Sequence, residues 1–557
     1  MLRDRKGLLA VAVAVTVAAI ASVATSSSTA KTSDHRGGTL KLLAKAAGGT
    51  LDPQVNYTLQ YWQLYQATYD GLLAFKKAGG GAAFEVVPDL ASGYKLSNGG
   101  KTWTFTLRKG IKFSNGQAVT VNVVVASFKR IFKVKSPTAG GFYSGIVGAA
   151  SCLKTPATCT LKGGISANAA SNTVTINLTA PDPEFKFKLA VPHASILPAS
   201  APPDDAGTKP IPSTGTYYFA SYNPNKQLVL KRNPYFKQWS KDAQPAGNPD
   251  QITQSFGLTV ESQITAIENG QADWTLEAPP ADRLNELGTK YASQTHVETL
   301  TAFWYAPMNT NLAPFNKLKA RQAVNYAIDR NALVKIFGGP KLAVPSCQVL
   351  PPAFPGYKAY CPYTKNPGTT WSAPDVAKAK QLVQESGTKG AKVVVISPDD
   401  EVQKAVGVYL QSVLNQIGYK ATAKTISGNI AFTYVQNTKN KVQINVQQWY
   451  QDYPAASDFL HILFGCESFH PGSDSSINIA GFCDKKINAE MHKALTLEQT
   501  DFPGANGLWS KIDRQVTDAS PMATLFTPRH IDFVSKRVGN FTFSKQFYWL
   551  VSQSWVQ

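Results

Sequence analysis

Predicted strands and helices alternate along the second half of the chain, and this alternation constrains the fold more than any other feature. An amphipathic helix is expected at Leu318 to Ile336, a buried strand at Lys392 to Ile396, a helix at Val402 to Ile417 and a strand at Val442 to Trp449. Strands that alternate with helices form crossover units, so the sequence predicts an α/β lobe in this half.

The first half has a different pattern, in which short strands of alternating polarity are separated by turn formers. Trp103, Phe105 and Leu107 alternate with polar residues, which is the two-residue period of a half-buried strand. A bend at Lys109-Gly110 and a second strand before Ser114 are expected to follow. Thr120 is in position to cap the next helix.

The run Gly99-Gly100-Lys101-Thr102 is similar to the second half of a phosphate-binding loop. Such a loop needs a glycine five residues before the final Gly-Lys and a helix after it, but Lys95 stands at that position and a strand follows. The sequence therefore excludes nucleotide binding here.

The first 30 residues have the pattern of an export signal. A basic start at Arg3, Arg5 and Lys6 precedes an apolar run, and Ser28-Thr29-Ala30 offers a cleavage position. A cleaved signal peptide over residues 1–30 is preferred, and an uncleaved anchor is the alternative. Because no cysteine precedes Cys152, anchoring through a lipid-modified N-terminal cysteine is not expected.

The cysteines form three close pairs in the sequence. An even number of cysteines in an exported chain favours disulfides, which we expect between the members of each pair. A metal site is the alternative, and His461, Cys466 and His470 lie near one another, but no pair has the spacing of a zinc knuckle. We therefore expect no metal and no cofactor. The pairs are Cys152 with Cys159, Cys347 with Cys361, and Cys466 with Cys483.

Charge and motifs exclude several classes of function. The net charge of +20 could suit nucleic acid, but the lysines are scattered and no nucleic-acid-binding motif is present. Weak attraction to an anionic cell surface is the simpler interpretation. No nucleophile elbow and no zinc-protease motif occurs, so the sequence gives no sign of catalysis and the chain is not expected to be an enzyme.

Asp452 is the most informative candidate for a binding residue. It follows a predicted strand and stands among Trp449, Tyr450 and Tyr453. Ligands bind at strand ends in α/β lobes, and a partly dry carboxylate can receive an ammonium group. The alternative is that Asp452 caps the following turn and the aromatic residues belong to a core.

Together these segments resemble the extracellular solute-binding proteins of family 5, which include the oligopeptide- and dipeptide-binding proteins of ABC importers. The block from Pro88 to Thr120 is the most specific of them. The matching segments are GGTL (37–40), LDPQ (51–54), YDGLL (69–73), PDLASGYKLSNGGKTWTFTLRKGIKFSNGQAVT (88–120), STGTYYF (213–219), LKRNPYF (230–236), ENGQADW (268–274), FNKLKARQAVNYAIDRNALV (315–334) and WYQDYP (449–454).

The resemblance implies a two-lobed α/β fold of the type II periplasmic-binding-protein class with an extra subdomain. The first lobe would comprise residues 34–302 and 523–557, with an inner subdomain at about 53–198, and the second lobe residues 303–522. Strands near Phe303-Trp304-Tyr305 and Ala523 to Thr527 would form the hinge.

The resemblance also implies a ligand site between the lobes. Asp452 matches the position where peptide binders of this family pair with the peptide α-ammonium, and backbone groups around Gln448 and Tyr450 would hold the ligand as an added strand.

A monomer is expected, with a peptide or other small solute and membrane-bound ABC permease subunits as partners. The chain would work outside the cell membrane or in the periplasm. A peptide-sensing receptor without transport and an exported hydrolase are the alternatives. The candidate site residues are Asp452, Trp449, Tyr450, Gln448, Tyr453, Trp304, Phe303, Tyr57, Tyr61 and Trp62.

Overall fold

A computed structural model describes residues 35–280, 282–472 and 476–557. Residues 36–557 form one compact unit. The predicted signal peptide lies outside the described residues. No helix in the described part of the chain is long and apolar enough to cross a membrane.

The first half of the chain builds a five-stranded mixed sheet. Its strand Thr39–Ala44 runs parallel to both of its neighbours, whereas the two outer pairings on one side are antiparallel. The last of these pairings joins residues 217–223 to residues 227–232 across a short turn. The strands in spatial order are Trp274–Thr275, Thr39–Ala44, Gln251–Phe256, Gln227–Arg232 and Tyr217–Asn223.

A second, antiparallel sheet lies within the predicted inner subdomain. The strand predicted from Trp103, Phe105 and Leu107 is confirmed, and all three side chains are buried. Thr120 accepts a hydrogen bond from the backbone of Val123 and so caps the helix that begins at Val121. The strands in spatial order are Ala91–Ser97, Thr102–Leu107, Thr173–Asn177 and Ile165–Asn168.

The second strand predicted after Gly110 is wrong. The segment makes only an isolated bridge between Lys112 and Ala118. The Phe113 N–H group donates to the Gln117 carbonyl oxygen at 2.8 Å, which closes a tight turn. A chain that turns back this early is too short to pair as a strand.

A third sheet connects the two halves of the chain. The strand Met522–Phe533 contributes Leu525 to the same core as Val393, and at its other end Phe533 packs in a core with Leu43. One strand thus serves cores in both halves, as a strand that crosses between lobes must. The strands in spatial order are Thr295–Thr299, Met522–Phe533, Ala302–Pro307 and Gln447–Tyr450, and Ala343–Pro345 pairs with Met522–Phe533.

The second half contains the α/β unit that the sequence predicts. The parallel strands Lys392–Pro398 and Lys420–Ile426 are joined by the helix Glu401–Gln416, and Ile444–Asn445 adds a third parallel strand. The strand predicted over residues 442–449 is two strands, because the Val446 N–H group bonds to Ile396 before the chain passes to the next sheet.

The helix predicted from Leu318 to Ile336 is also two helices. The first ends at Ala327, and Asp329 begins the second by accepting hydrogen bonds from the backbone of Asn331 and Ala332. The α-helices are Leu59–Thr68, Val121–Lys133, Ala139–Tyr143, Ala149–Lys154, Phe185–Lys188, Val260–Glu268, Leu284–Thr289, Leu318–Ala327, Arg330–Ile336, Val376–Glu385, Glu401–Gln416, Gly428–Gln436, Ser457–Phe464, Lys485–Leu497 and Phe502–Ala519.

The structure contains the three disulfides expected from the sequence. They are Cys152–Cys159, Cys347–Cys361 and Cys466–Cys483. Cys466 is therefore unavailable to the metal candidate formed with His461 and His470.

Two short hairpins and one further strand pair complete the described strands: Leu73–Phe75 with Val86–Pro88, Phe543–Ser544 with Tyr548–Trp549, and Val538–Gly539 with Trp555–Val556.

Candidate functional site

A cavity of about 600 Å³ lies between the helix Leu59–Thr68 and the connecting sheet. Residues 528–548, which we call the C-terminal segment, contribute to its wall. Its wall is mostly apolar and contains a few polar and charged side chains, as small-molecule sites do. Four of the candidate residues from the sequence line it: Tyr57, Trp62, Tyr450 and Asp452.

Asp452 is buried in the wall of this cavity. Its Oδ1 accepts a hydrogen bond from the Tyr57 hydroxyl at 2.5 Å. Its backbone N–H group donates to Asp458 Oδ2 at 2.9 Å, and its carbonyl oxygen accepts from Gln546 Nε2 at 2.9 Å. Asp452 is thus held on three sides and does not cap the following turn with its side chain. Its second carboxylate oxygen is the one that a ligand could use.

Burial controls the charge of the two neighbouring aspartates. Desolvation raises the pKa of Asp452 to about 7, although the Tyr57 hydrogen bond acts in the opposite direction. Desolvation, followed by repulsion from Asp452, raises the pKa of Asp458 well above its usual value. Because two buried carboxylates this close do not both ionise, we assign the single negative charge of the pair to Asp452.

Aromatic rings form the wall next to Asp452. Tyr57 is 45% exposed and Tyr450 is 37% exposed, so water in the cavity reaches both rings. The ring of Tyr57 stacks on Trp62 with 5.4 Å between centroids. His193 packs edge-on against both rings, and burial lowers its pKa to about 3, so it is a neutral support at neutral pH.

The strand Gln447–Tyr450 lies at the edge of the connecting sheet. Gln451 donates its N–H group to Thr301 on the paired side, and Val446 donates to Ile396 on the other side. Because backbone groups alternate along an antiparallel strand, those of Gln448 and Tyr450 face away from the paired strand. This edge can accept an extended ligand as an added strand.

The C-terminal segment supplies basic groups that the sequence interpretation missed. Arg529, His530 and Lys545 all line the cavity. Burial lowers the pKa of His530, but the charge of Asp532 and its hydrogen bond at 3.0 Å outweigh burial and raise the pKa overall. No local pattern distinguishes these residues, because the return of the chain through the connecting sheet is what brings them to the cavity.

The remaining candidate residues do not line the cavity. Phe303, Tyr61 and Tyr453 are at most 2% exposed and belong to hydrophobic cores. Tyr61 hydrogen-bonds to Tyr222, and Tyr453 stacks on Phe187. These three are corrected to core residues, as the habit of aromatic side chains to be buried would suggest.

Trp304, Trp449 and Gln448 lie close to the site without lining it. Trp304 stacks on Phe526, and Trp449 packs against the core that contains Phe459. The side-chain oxygen of Gln448 accepts a hydrogen bond from the Tyr450 hydroxyl at 3.4 Å. Their contribution is to support the edge strand.

Comparison with known proteins decides the family. The family description "Bacterial extracellular solute-binding proteins, family 5 Middle" matches residues 85–470. The chain belongs to this family. The resemblance found in the sequence is therefore confirmed, and the protein is a solute-binding protein.

Three relatives of this solute-binding protein carry names for peptide or peptide-like ligands, whereas a fourth, YgiS of Escherichia coli, is named as a probable deoxycholate-binding protein. The probable D,D-dipeptide-binding periplasmic protein DdpA of Escherichia coli is 25% identical over 90% of this chain and 91% of its own. The glutathione-binding protein GsiB of Salmonella typhimurium is 25% identical over 88% of this chain and 89% of its own. The periplasmic oligopeptide-binding protein OppA of Escherichia coli is 25% identical over 79% of each chain.

Solved structures confirm the two-lobed binding-protein fold. Clavulanic acid biosynthesis oligopeptide binding protein 2 superposes with a TM-score of 0.83 at 23% identity and covers 94% of this chain and 96% of its own. DppA from Helicobacter pylori, in complex with the peptide STSA, superposes with a TM-score of 0.74 at 19% identity over 94% and 99% of the two chains. The residues at which the lobes begin and end stay a prediction.

Proposed function

We propose that this protein binds a peptide, or a similar small solute with a free amino group, between its lobes and delivers it to the permease of an ABC importer. The carboxylate of Asp452 in the wall of the cavity is the observation that carries the proposal. A buried carboxylate with one oxygen held by Tyr57 keeps its second oxygen for an ammonium group. A charged hydrogen bond of this kind contributes about 1.5–3 kcal/mol.

The edge strand and the basic groups extend this proposal to the rest of the ligand. The backbone groups of Gln448 and Tyr450 would pair with an extended peptide. Arg529 and Lys545 give the same cavity positive charge, which suits a carboxylate or an acidic side chain on the ligand. The apolar surface of Trp62 and its neighbours would contact the side chains of the bound peptide and would discriminate little between peptide sequences.

Closure of the lobes would couple binding to delivery. Tyr57 lies in the predicted first lobe and Asp452 in the predicted second lobe, and their hydrogen bond joins the two. A ligand that contacts both residues favours the closed state over the open one, because its contacts are complete only there. The permease then distinguishes loaded from empty protein by its shape. We propose that the bound solute leaves chemically unchanged.

Mass spectrometry of the solute carried by the purified protein tests the proposal. Protein isolated under mild conditions and then denatured is expected to release about one equivalent of a peptide or peptide-like compound. Incubation with a defined peptide pool is expected to leave every peptide intact. Consumption of the pool would contradict the proposal and favour a hydrolase. A strain that lacks this protein, keeps its peptide uptake and loses a response to the peptide would favour a sensing receptor.

A further inference from the structure

A second cavity of about 370 Å³ shares no lining residue with the cavity that contains Asp452, and it lies where the predicted inner subdomain meets the second half of the chain. Asp182, Glu184 and Lys188 form part of its wall on one side. Two imidazoles from the second half, His461 and His492, also line it. The proposed ligand site uses none of these residues.

Three side chains with metal-binding atoms converge at the edge of this cavity. His461 Nε2 lies 3.4 Å from one carboxylate oxygen of Glu467, and His492 Nε2 lies 2.8 Å from the other. One ligand atom from each of the three residues lies within 4.8 Å of the others. Ligand atoms around a tetrahedral zinc ion are about 3.3 Å apart, since Zn–N and Zn–O bonds are about 2.0–2.2 Å long. The cluster is already close to that size.

The local fold holds the three side chains together. His461 lies in the last turn of the helix Ser457–Phe464, and Glu467 follows in a short 3-10 turn. The disulfide Cys466–Cys483 ties that turn to the start of the helix Lys485–Leu497, which carries His492. The ligand atoms therefore need little rearrangement to surround an ion.

Asn488 provides a fourth polar group behind the cluster. It lies one helical turn before His492, and its Nδ2 donates to Glu467 Oε1 at 2.8 Å. Metal-binding carboxylates are commonly oriented by such a neighbouring donor. Asn488 thus acts as a positioning residue for Glu467.

We propose that His461, Glu467 and His492 bind a divalent transition-metal ion of the zinc type. Two imidazole nitrogens and one carboxylate oxygen are ligands that zinc accepts, whereas calcium and magnesium prefer sites made of oxygen alone. Three protein ligands leave the fourth position open. Because both imidazoles line the second cavity, that position is reached from the cavity by water or by a small anion.

Calorimetric titration of the full mature chain with Zn²⁺, after removal of any affinity tag, tests this site. One equivalent is expected to bind, and the His461→Ala and His492→Ala variants are each expected to bind it at least about a hundredfold more weakly. Mg²⁺ and Ca²⁺ are expected not to compete. The matched control is His470→Ala, which removes an exposed imidazole nearby in the sequence but outside the cluster.

Other outcomes of the titration would overturn the proposal. They are an absence of saturable binding in wild-type protein, and unchanged affinity in the double variant His461→Ala/His492→Ala. An equal loss of affinity in His470→Ala would show that Zn²⁺ does not bind specifically at the proposed cluster. Unfolding curves without added metal show whether each variant is folded. Asn488→Ala keeps all three ligands but removes the donor that orients Glu467, so it is expected to weaken Zn²⁺ binding about tenfold. If its unfolding curve without metal matches that of wild type, the loss of affinity is due to the orientation of Glu467 and not to a change in the fold.

Discussion

The hydroxyl group of Tyr57 donates a hydrogen bond of 2.5 Å to the carboxylate of Asp452, and this bond joins residues from the two predicted lobes. Tyr57 precedes the first helix, and Asp452 follows the edge strand of the connecting sheet. The bond therefore spans the cavity wall at the place where the lobes meet. The proposed capture of an ammonium group and the proposed closure of the lobes depend on the same carboxylate.

Replacement of Asp452 with asparagine is expected to weaken the binding of a peptide with a free amino terminus tenfold or more. The amide keeps the shape of the side chain but loses the charge that pairs with the ammonium group, and about 1.5–3 kcal/mol is lost. Calorimetry with the solute identified by mass spectrometry measures the change. The N-acetylated form of the same peptide is the control, and its affinity should differ little between wild type and Asp452→Asn. Equal affinities of wild type and Asp452→Asn for the free-amine peptide would disprove the ammonium role.

The affinity for a free-amine peptide is expected to fall as the pH is lowered through about 7. The pKa of Asp452 is raised to about 7 by burial, and only the ionised carboxylate pairs with an ammonium group. Below this value each pH unit weakens binding up to about tenfold, because a proton must first leave. Above it, the α-amino group of the ligand, with a pKa of about 8, begins to lose its own proton, so affinity is expected to be highest between about pH 7 and pH 8. Titrations across pH 5–9 test this profile, and Asp452→Asn should lack the acidic decline.

Replacement of Tyr57 with phenylalanine is expected to move that acidic decline to higher pH. The Tyr57 hydroxyl stabilises the ionised form of Asp452, so its removal raises the pKa of the carboxyl further. Calorimetry at several pH values measures the midpoint. Tyr61→Phe is the matched control, because the Tyr61 hydroxyl bonds to Tyr222 and does not contact Asp452. A midpoint common to all three proteins would show that Tyr57 does not set this pKa.

The sequence predicts elements that depend on local periodicity better than it predicts the site. The alternation of Trp103, Phe105 and Leu107 specifies a strand whatever surrounds it. The sequence does not predict the break between Ala327 and Arg330, because the helical period continues on both sides of Asp329, which caps the second helix. When a helical periodicity and a capping residue occur in the same segment, the sequence alone does not show which of them determines where the helix ends.

The site depends on contacts that the sequence pattern does not contain. Tyr57 and Asp452 are 395 positions apart in the sequence, and no local pattern predicts the hydrogen bond between them. The family resemblance predicts Phe303 and Trp304 near the ligand, but their strand is buried on both faces. Phe303 stacks on Tyr305 in one core, and Trp304 stacks on Phe526 in another. An aromatic residue at a lobe junction is therefore insufficient evidence for a ligand contact.

Replacement of Arg130 with methionine is expected to lower the free energy of unfolding by about 3–5 kcal/mol, because it leaves a buried carboxylate unpaired. The guanidinium group forms an ion pair with Asp52, which is fully buried, and also bonds to Gln54 at 2.9 Å. Denaturant unfolding measures the loss. Lys129→Met changes a charge on the same helix and should stay within about 0.5 kcal/mol of wild type. A similar small effect in Arg130→Met would contradict the structural role.

Methylation of single backbone nitrogens in the peptide ligand is expected to weaken binding in a two-residue pattern. The backbone groups of Gln448 and Tyr450 face the free edge of the connecting sheet, and a peptide added there would direct only every second N–H group at the protein. A methyl group on such a nitrogen removes a hydrogen bond worth about 0.5–1.5 kcal/mol and also blocks close approach, so a loss of about tenfold is expected. Methylation of the intervening nitrogens should change affinity much less. A series of peptides methylated at one position each, compared by calorimetry with the unmethylated parent, gives the pattern directly. Losses without alternation would show that the ligand is held by its side chains and termini and is not added to this strand.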